Sequence, residues 1–245
     1  PIHGYQIAGR FYSELDSDMI IQIDQYDLDV VILTDTNEDE VREMFLRLQN
    51  GSTLKAQEKR NARPGKMRDF VCSVAKHPFF SSVSFANTRY TYDHVAAQMC
   101  LLTLKGGICN VKDRDLNSMY QENLDFDGSS YKAKRVTAVL NFLLKMFPKK
   151  RPELKRYNVI SLYILISEIV ERYAIGGREA EIANWFIDFE HRRDVDASQD
   201  AEDQNPALVQ YHERTAHSTD AFDSLRFRNE YLLEDLFAHL PEIKM

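Results

Sequence analysis

Only one short segment of this chain has the pattern of a buried β-strand. Residues 30–33 read Val-Val-Ile-Leu between polar neighbours, and a β-branched run of this kind fits a strand better than an amphipathic helix. A lone strand can neither pair its edges nor bury both of its faces. The strand therefore needs partners from a missing N-terminal segment or from a partner chain that completes the sheet, unless it pairs in a different way.

Helical patterns dominate the rest of the sequence. One helix is predicted at residues 16–26 and another after Asn37, a candidate N-cap. That second helix ends at Asn50-Gly51, and Ser52 or Thr53 begins the next one. From residue 64 onward, apolar residues at helical spacing predict a series of helices at residues 64–76, 92–104, 113–124, 131–147, 154–173, 180–191, 207–217 and 220–240. Residues 154–173 are the most apolar of these and are predicted to form the centre of the core.

These patterns predict a mainly α fold of the α+β class. A small N-terminal α/β part, residues 1–63, precedes a helical domain, residues 64–245. The chain has 245 residues, 44% of them hydrophobic, which is enough for a sizeable core and typical of a globular protein. The polar, acidic stretch at residues 193–206 predicts a loop.

The segment FLRLQNGSTLKAQEKRNA, residues 45–62, resembles the Arg-Leu-Asn-x-Gly-Gly-Thr-Pro-Leu…Glu-x-Arg-Asn-Ala motif of the DUF262 family. The matching residues, in order, are Arg47, Leu48, Gly51, Thr53, Leu54, Glu58, Arg60, Asn61 and Ala62. Gln49 stands near where the family often has Asn, the loop is shorter, and no Pro follows Thr53. Members of this family carry a ParB/sulfiredoxin-like domain and a helical domain, and they belong to restriction and phage-defence systems such as the GmrSD-type enzymes. The resemblance implies that residues 1–63 are the C-terminal part of a ParB-like domain.

Two features of the family are missing from this sequence. The Asp-Gly-Gln-Gln-Arg nucleotide motif is absent, and no HNH nuclease module follows residues 240–244, which read LPEIK. The chain also begins with Pro1 instead of Met, so a cut piece of a longer protein is expected. The resemblance implies that the parent is a nucleotide-dependent, DNA-targeting defence nuclease that uses an NTP and Mg²⁺. This chain alone is expected to be inactive and to hold no cofactor.

The first candidate site is a nucleotide- or phosphate-binding site in the resembling segment. Arginine forks and the free backbone N–H groups of a helix start both bind anions, and the resemblance places this segment beside a nucleotide motif. The candidate residues are Arg47, Asn50, Gly51, Thr53, Arg60 and Asn61. The structural alternative is that Arg60 and Asn61 tie the loop to the domain through backbone carbonyls, while Arg47 pairs with Glu43.

The second candidate site is the densest basic cluster of the chain. A DNA backbone is bound through local positive charge, and the cluster consists of Lys149, Lys150, Arg151, Lys155 and Arg156. The structural alternative is a solvated loop in an acidic protein. The net charge of −7 argues against nucleic-acid binding over the whole surface.

Other function classes find no support in the sequence. The seven histidines are scattered and the three cysteines form no CxxC pair, so no metal site and no catalytic residue are predicted. No apolar run is long enough to cross a membrane, and a cytoplasmic protein with reduced thiols is expected. Two functions therefore remain, a segment of a DUF262-like defence protein that meets DNA and a nucleotide, or a non-catalytic helical interaction module for protein or DNA. A homo-oligomer is compatible with either.

Overall fold

The structure, a computed structural model, describes residues 9–27, 29–30, 32, 34–37, 40–41, 44 and 54–244. These residues are mainly helical and contain no strand, which confirms the mainly α prediction. The chain divides into two compact units, Pro1–Val41 and Arg42–Met245. The predicted domain boundary at residues 63 and 64 lies inside the second of these units and stays a prediction.

In the described residues of the first unit, the helix predicted at residues 16–26 has a regular start. A 3-10 turn at Tyr12–Glu14 precedes α1, Ser17–Asp24. Asp16 caps α1 because its carboxylate accepts a hydrogen bond from the backbone N–H of Met19 (3.0 Å). The helix predicted at residues 16–26 is therefore present but shorter, and of its apolar residues only Met19 is buried.

The predicted strand is not formed at the residues where it can be examined. Val30 and Ile32 have no strand structure, and they are 76% and 80% exposed. Val31 and Leu33 lie outside the described residues. No neighbouring strand is present in the described part of the chain, so nothing satisfies the backbone of a strand here. This corrects the sequence-based prediction of a strand at Val30 and Ile32.

The helix predicted after Asn37 begins where the sequence indicated. The side chain of Asn37 accepts from the backbone N–H of Glu40 (3.0 Å), and the Glu40 carboxylate accepts from the backbone N–H of Asn37 (2.9 Å). This reciprocal pair is a capping box. Val41 and Met44 are helical, and the end of this helix at Asn50-Gly51 lies outside the described residues.

Nine labelled helices build the described part of the second unit. Their bounds are α2 Ala56–Asn61, α3 Lys66–Val74, α4 Thr91–Lys105, α5 Asp113–Glu122, α6 Tyr131–Met146, α7 Arg156–Arg172, α8 Glu179–Asp196, α9 Pro206–Ala216 and α10 Phe222–His239. Short 3-10 turns lie at Pro78–Ser81, Thr88–Tyr90 and Pro241–Lys244. The predicted helices from residue 64 onward are all present, and most ends differ by a few residues. The helix predicted at residues 180–191 continues to Asp196, so residues 193–196 and 206 of the predicted loop at 193–206 are helical, and only residues 197–205 form a loop.

The core of the second unit is centred on α7. Ten of its residues are buried, and it packs against α4, α6 and α10. This confirms the prediction that the most apolar helix is central, since a helix that is apolar on all sides must be covered on all sides. An aromatic cluster on α8, α9 and α10 extends the core; it consists of Trp185, Phe186, Phe189, Tyr211 and Tyr231.

Candidate functional site

Arg60 lies at the end of α2 and is completely buried. Its Nη1 donates to the carboxylate of Asp113 on α5 (3.0 Å), and its Nη2 donates to Nδ1 of His94 on α4 (3.0 Å). Its Nε donates to the side-chain oxygen of Gln57, one turn earlier in α2 (2.8 Å). The guanidinium is thus fully engaged within the protein, as a buried arginine must be.

Asn61 extends this set of contacts. Its Nδ2 donates to the Asp93 carboxylate on α4 (3.1 Å), and its oxygen accepts from Gln57 (2.7 Å). Gln57 also donates to the hydroxyl of Tyr120 (3.3 Å). We call these residues the Arg60 network: Gln57, Arg60, Asn61, Asp93, His94, Asp113 and Tyr120.

Glu58 fastens the beginning of the same short helix. Its carboxylate accepts from the backbone N–H of Lys55 (2.7 Å) and receives two bonds from the guanidinium of Arg89 (2.6 and 2.8 Å). The Arg89 guanidinium lowers the pKa of Glu58 to about 2. Glu58, Arg60 and Asn61, the polar residues at the end of the family-like motif, therefore all fix α2 to the helical body.

The histidine in the Arg60 network is held neutral. Arginine is only a donor, so Nδ1 of His94 must be the acceptor and its proton must lie on Nε2. Burial, together with the charges of Arg156 and Arg60, lowers the pKa of His94 to about 4. Protonation would remove the acceptor and place a third cation against these two arginines.

We expect this histidine to make the chain less stable as the pH falls from about 6.5 towards 4. In that window the unfolded state, with an ordinary histidine pKa of about 6.5, binds more protons than the folded state, so stability rises with pH by at most about 1.4 kcal/mol per unit. His94→Gln keeps an acceptor for Arg60 and should reduce the slope between these pH values. Urea unfolding at several pH values measures both proteins. An equal slope in the two proteins would contradict the account.

Only two residues of the predicted phosphate site, Arg60 and Asn61, lie within the described residues. Arg47, Asn50, Gly51 and Thr53 lie outside the described residues. Arg60 and Asn61 have the structural role given above as the alternative, because they tie α2 to the domain. They do so by bonding to side chains, not to backbone carbonyls as expected. A phosphate would reach the guanidinium of Arg60 only if α2 moved away from α4 and α5, and nucleotide binding by these residues stays a prediction.

The basic cluster lies on the loop between α6 and α7, which we call the basic loop, residues 148–155. Its backbone is fastened at two points, because Arg151 N–H donates to Ser82 O (2.9 Å) and Ser84 N–H donates to Leu154 O (3.1 Å). Its four cations are all exposed, and none forms an ion pair with another residue in the described ranges: Lys149, Lys150, Arg151 and Lys155. The fifth predicted residue, Arg156, instead contacts Asp220 (3.2 Å).

Most arginines elsewhere in this unit are paired with carboxylates. The paired residues include Arg60, Arg89, Arg135, Arg178, Arg192 and Arg193. Lysines without an ion pair also occur elsewhere in the described residues, so what distinguishes the basic loop is density: four exposed cations without an ion pair lie within residues 149–155. Glu153 is the one acidic residue within it.

Metal and thiol chemistry find no site in the described residues. No group of histidines, cysteines and carboxylates there has the geometry to hold a metal ion. The three cysteines are free thiols, and burial raises the pKa of Cys72 and of Cys109 to about 11. These thiols are therefore protonated near neutral pH and weak as nucleophiles.

Sequence reasoning missed a buried ion pair on α8. Arg193 donates to Glu190 (2.9 and 3.2 Å), and their side chains are only 2% and 3% exposed. Arg193 also contacts Nδ1 of His212 on α9 (3.1 Å) and the hydroxyl of Tyr157 on α7 (3.2 Å). The three-residue spacing of a Glu and an Arg was a visible signal for the pair, but its burial was not.

The chain was compared with protein-family models, curated proteins and solved structures. The chain matches none of the family models, curated proteins or solved structures with which it was compared. Among the described helices, none is long and apolar enough to span a membrane.

Proposed function

We propose that this chain is the helical, DNA-contacting scaffold of a DUF262-like defence protein. In this proposal the basic loop binds the phosphate backbone of DNA, and the Arg60 network holds the family-like segment on the helical body. The observation that carries the proposal is the set of four exposed, unpaired cations in the basic loop. Phosphate contacts need such charge and little sequence-specific geometry.

The Arg60 network supports the scaffold part of the proposal. The resembling segment continues directly from residues 45–53 into α2, and α2 is held by Glu58, Arg60 and Asn61. A nucleotide pocket built by Arg47, Asn50, Gly51 and Thr53, with a partner segment, would therefore rest on a fixed support. Arg60 would act as a positioning residue for that pocket, without touching the phosphate itself.

A non-catalytic interaction module is the second candidate, and the paired state of Arg60 favours it. The first candidate belongs to a parent that hydrolyses a nucleotide, whereas the module binds a protein partner or DNA without catalysis. The parent gene separates them: an upstream Asp-Gly-Gln-Gln-Arg motif and a downstream HNH module would favour the nuclease, while their absence would favour the module.

We expect the purified chain to bind a fluorescently labelled DNA duplex at low salt through the basic loop. A variant in which the four loop cations become glutamine (K149Q, K150Q, R151Q and K155Q) should bind at least about tenfold more weakly. Fluorescence anisotropy at about 50 mM salt measures the affinity, since the Debye length there exceeds 10 Å. The result would be independent of DNA sequence because backbone contacts carry no sequence information.

A matched control variant removes the same number and type of charges elsewhere on the helical unit. It carries K76Q, K112Q, R114Q and K134Q, all at exposed positions. This control should bind within about twofold of the unmodified chain, apart from the general effect of net charge. Equal weakening in the two variants, or none in the loop variant, would contradict the proposal.

A further inference from the structure

A cleft of about 350 Å³ lies between α4, α6, α7 and the start of α10. Small-molecule sites occupy about 300–1,000 Å³ and are mostly apolar with a few polar groups, so this cleft has the size of a site for a small metabolite. Its apolar lining consists of Leu102, Ile108, Ile164 and Phe222. It shares α4 with the Arg60 network but lies at the other end of that helix, at Leu102 and Thr103 instead of Asp93 and His94.

The rim of the cleft is held open by backbone contacts. Gly106 ends α4 with a left-handed φ of 72°, and the N–H of Gly107 donates to Leu102 O (3.1 Å). The following loop is tied to α10, because Asn110 accepts from the N–H of Phe222 (2.8 Å) and Val111 donates to Asp220 O (3.0 Å). The loop on this side of the cleft is therefore held in place by the fold, which lowers the entropic cost of binding against it.

Two buried hydroxyls line the apolar part of the cleft. The hydroxyls of Thr103 on α4 and Tyr163 on α7 lie 2.5 Å apart. Burial raises the pKa of Tyr163, so its phenol keeps its proton at neutral pH. The pair offers hydrogen-bonding capacity to a polar tip on an otherwise apolar ligand.

Of the three arginines that line the cleft, two form close ion pairs and the third forms only long ones. Arg135 pairs with Glu171, and Arg172 pairs with Glu168 (2.8 Å). The guanidinium of Arg226 is the exception: its carboxylate contacts, with Glu230 and Asp223, are long (3.8 and 4.0 Å) and exposed, and such pairs stabilise little. It lies over the ring of Phe222, 5.5 Å from the centroid.

We propose that this cleft binds a small carboxylic acid with a flat apolar body. The body would lie between Ile108, Ile164 and Phe222, and the carboxylate would pair with Arg226. Among the charged residues that line the cleft itself, three arginines and two glutamates leave one positive charge, which one carboxylate balances. Asp223 and Glu230, which do not line the cleft, reach Arg226 only through long contacts of 4.0 and 3.8 Å. A phosphate monoester, with about −1.5 to −2 charges near neutral pH, matches this balance less well.

The test compares two probes of the same shape and opposite charge, indole-3-acetate and tryptamine. Saturation-transfer NMR with the intact chain gives a dissociation constant for each. Indole-3-acetate should bind at least about tenfold more tightly than tryptamine, and Arg226→Gln should weaken indole-3-acetate binding about tenfold, because a charge-assisted hydrogen bond is lost. Tryptamine binding should not weaken in this variant.

A second variant blocks the cleft without changing its charge. A Cβ at Gly107 meets nothing within 4 Å, and this glycine does not have a left-handed φ. Because Gly107 lines the cleft, we expect the leucine side chain of Gly107→Leu to occupy part of it and to weaken binding of indole-3-acetate at least about tenfold, with an unchanged circular dichroism spectrum.

Arg114→Gln, at an exposed residue of α5, should bind as the unmodified chain does. The proposal is overturned if both probes bind equally, if Arg226→Gln or Gly107→Leu binds indole-3-acetate normally, or if no saturable binding occurs below about 10 mM, a weak affinity even for a small probe.

Discussion

Replacing Arg193 by methionine is expected to lower the free energy of unfolding of the helical unit by about 3–5 kcal/mol. The change leaves the carboxylate of Glu190, which is 3% exposed, without its cation. It also removes the donors to His212 and Tyr157. The loss is large because a buried, unpaired charge costs far more than an exposed ion pair contributes.

Urea unfolding followed by tryptophan fluorescence measures this loss. Trp185 is the only tryptophan of the chain, and it lies on α8 with its indole N–H donating to Asp235 (2.8 Å), so it reports on the same region. The double variant Glu190→Leu/Arg193→Met removes both charges and should be clearly more stable than Arg193→Met alone. The buried pair would be contradicted if the free energy of unfolding of Arg193→Met lay within about 1 kcal/mol of that of the unmodified chain. It would also be contradicted if the double variant were no more stable than Arg193→Met.

Replacing Arg60 by methionine is expected to cost about 2–3 kcal/mol, somewhat less than the change at Arg193. Arg60 loses charge-assisted bonds to Asp113 and His94, but the Asp113 side chain is 58% exposed and can be rehydrated. Arg60→Lys should restore little of the lost stability, because an ammonium cannot reproduce the fork that contacts Gln57, Asp113 and His94 together.

The control is Arg114→Met, at an exposed position, which should change the free energy of unfolding by less than about 0.5 kcal/mol.

Two local measurements separate this structural role from a phosphate-binding role. In Arg60→Met the amides of α2 should exchange hydrogen faster while those of α7 keep their protection. The pKa of His94 should also rise part of the way towards its ordinary value, because one of the cations that lower it is gone. Unchanged stability and unchanged exchange in α2 would show that the guanidinium does not hold this helix.

The long helices were predictable because their apolar spacing is a local property. Residues 158–166 of α7 are all buried, so the middle of this helix is covered on every side, as its apolar composition predicts. The capping box of Asn37 and Glu40 was likewise visible, since it links residues three positions apart. These features need no knowledge of distant parts of the chain.

The candidate site was less predictable because its contacts are long-range. Asp93, His94 and Asp113 are far from Arg60 in sequence, and only the packing of α2 on α4 and α5 brings them together. The prediction of a strand at Val30 and Ile32 was wrong for a related reason. A strand depends on hydrogen bonds to a neighbouring strand, which its own residues cannot supply. The basic loop was predicted from its composition, but only the structure shows that its four cations form no ion pairs with described residues.

The salt dependence of DNA binding tests the central claim most directly. The logarithm of the association constant falls with the logarithm of salt concentration, with a slope of about −0.9 for each phosphate contact. If the four cations of the basic loop each contact a phosphate, the slope for the unmodified chain should be steeper by about 3–4 than that for the variant with K149Q, K150Q, R151Q and K155Q. Equal slopes and equal affinities in the two proteins would show that the basic loop is a solvated surface and does not contact DNA.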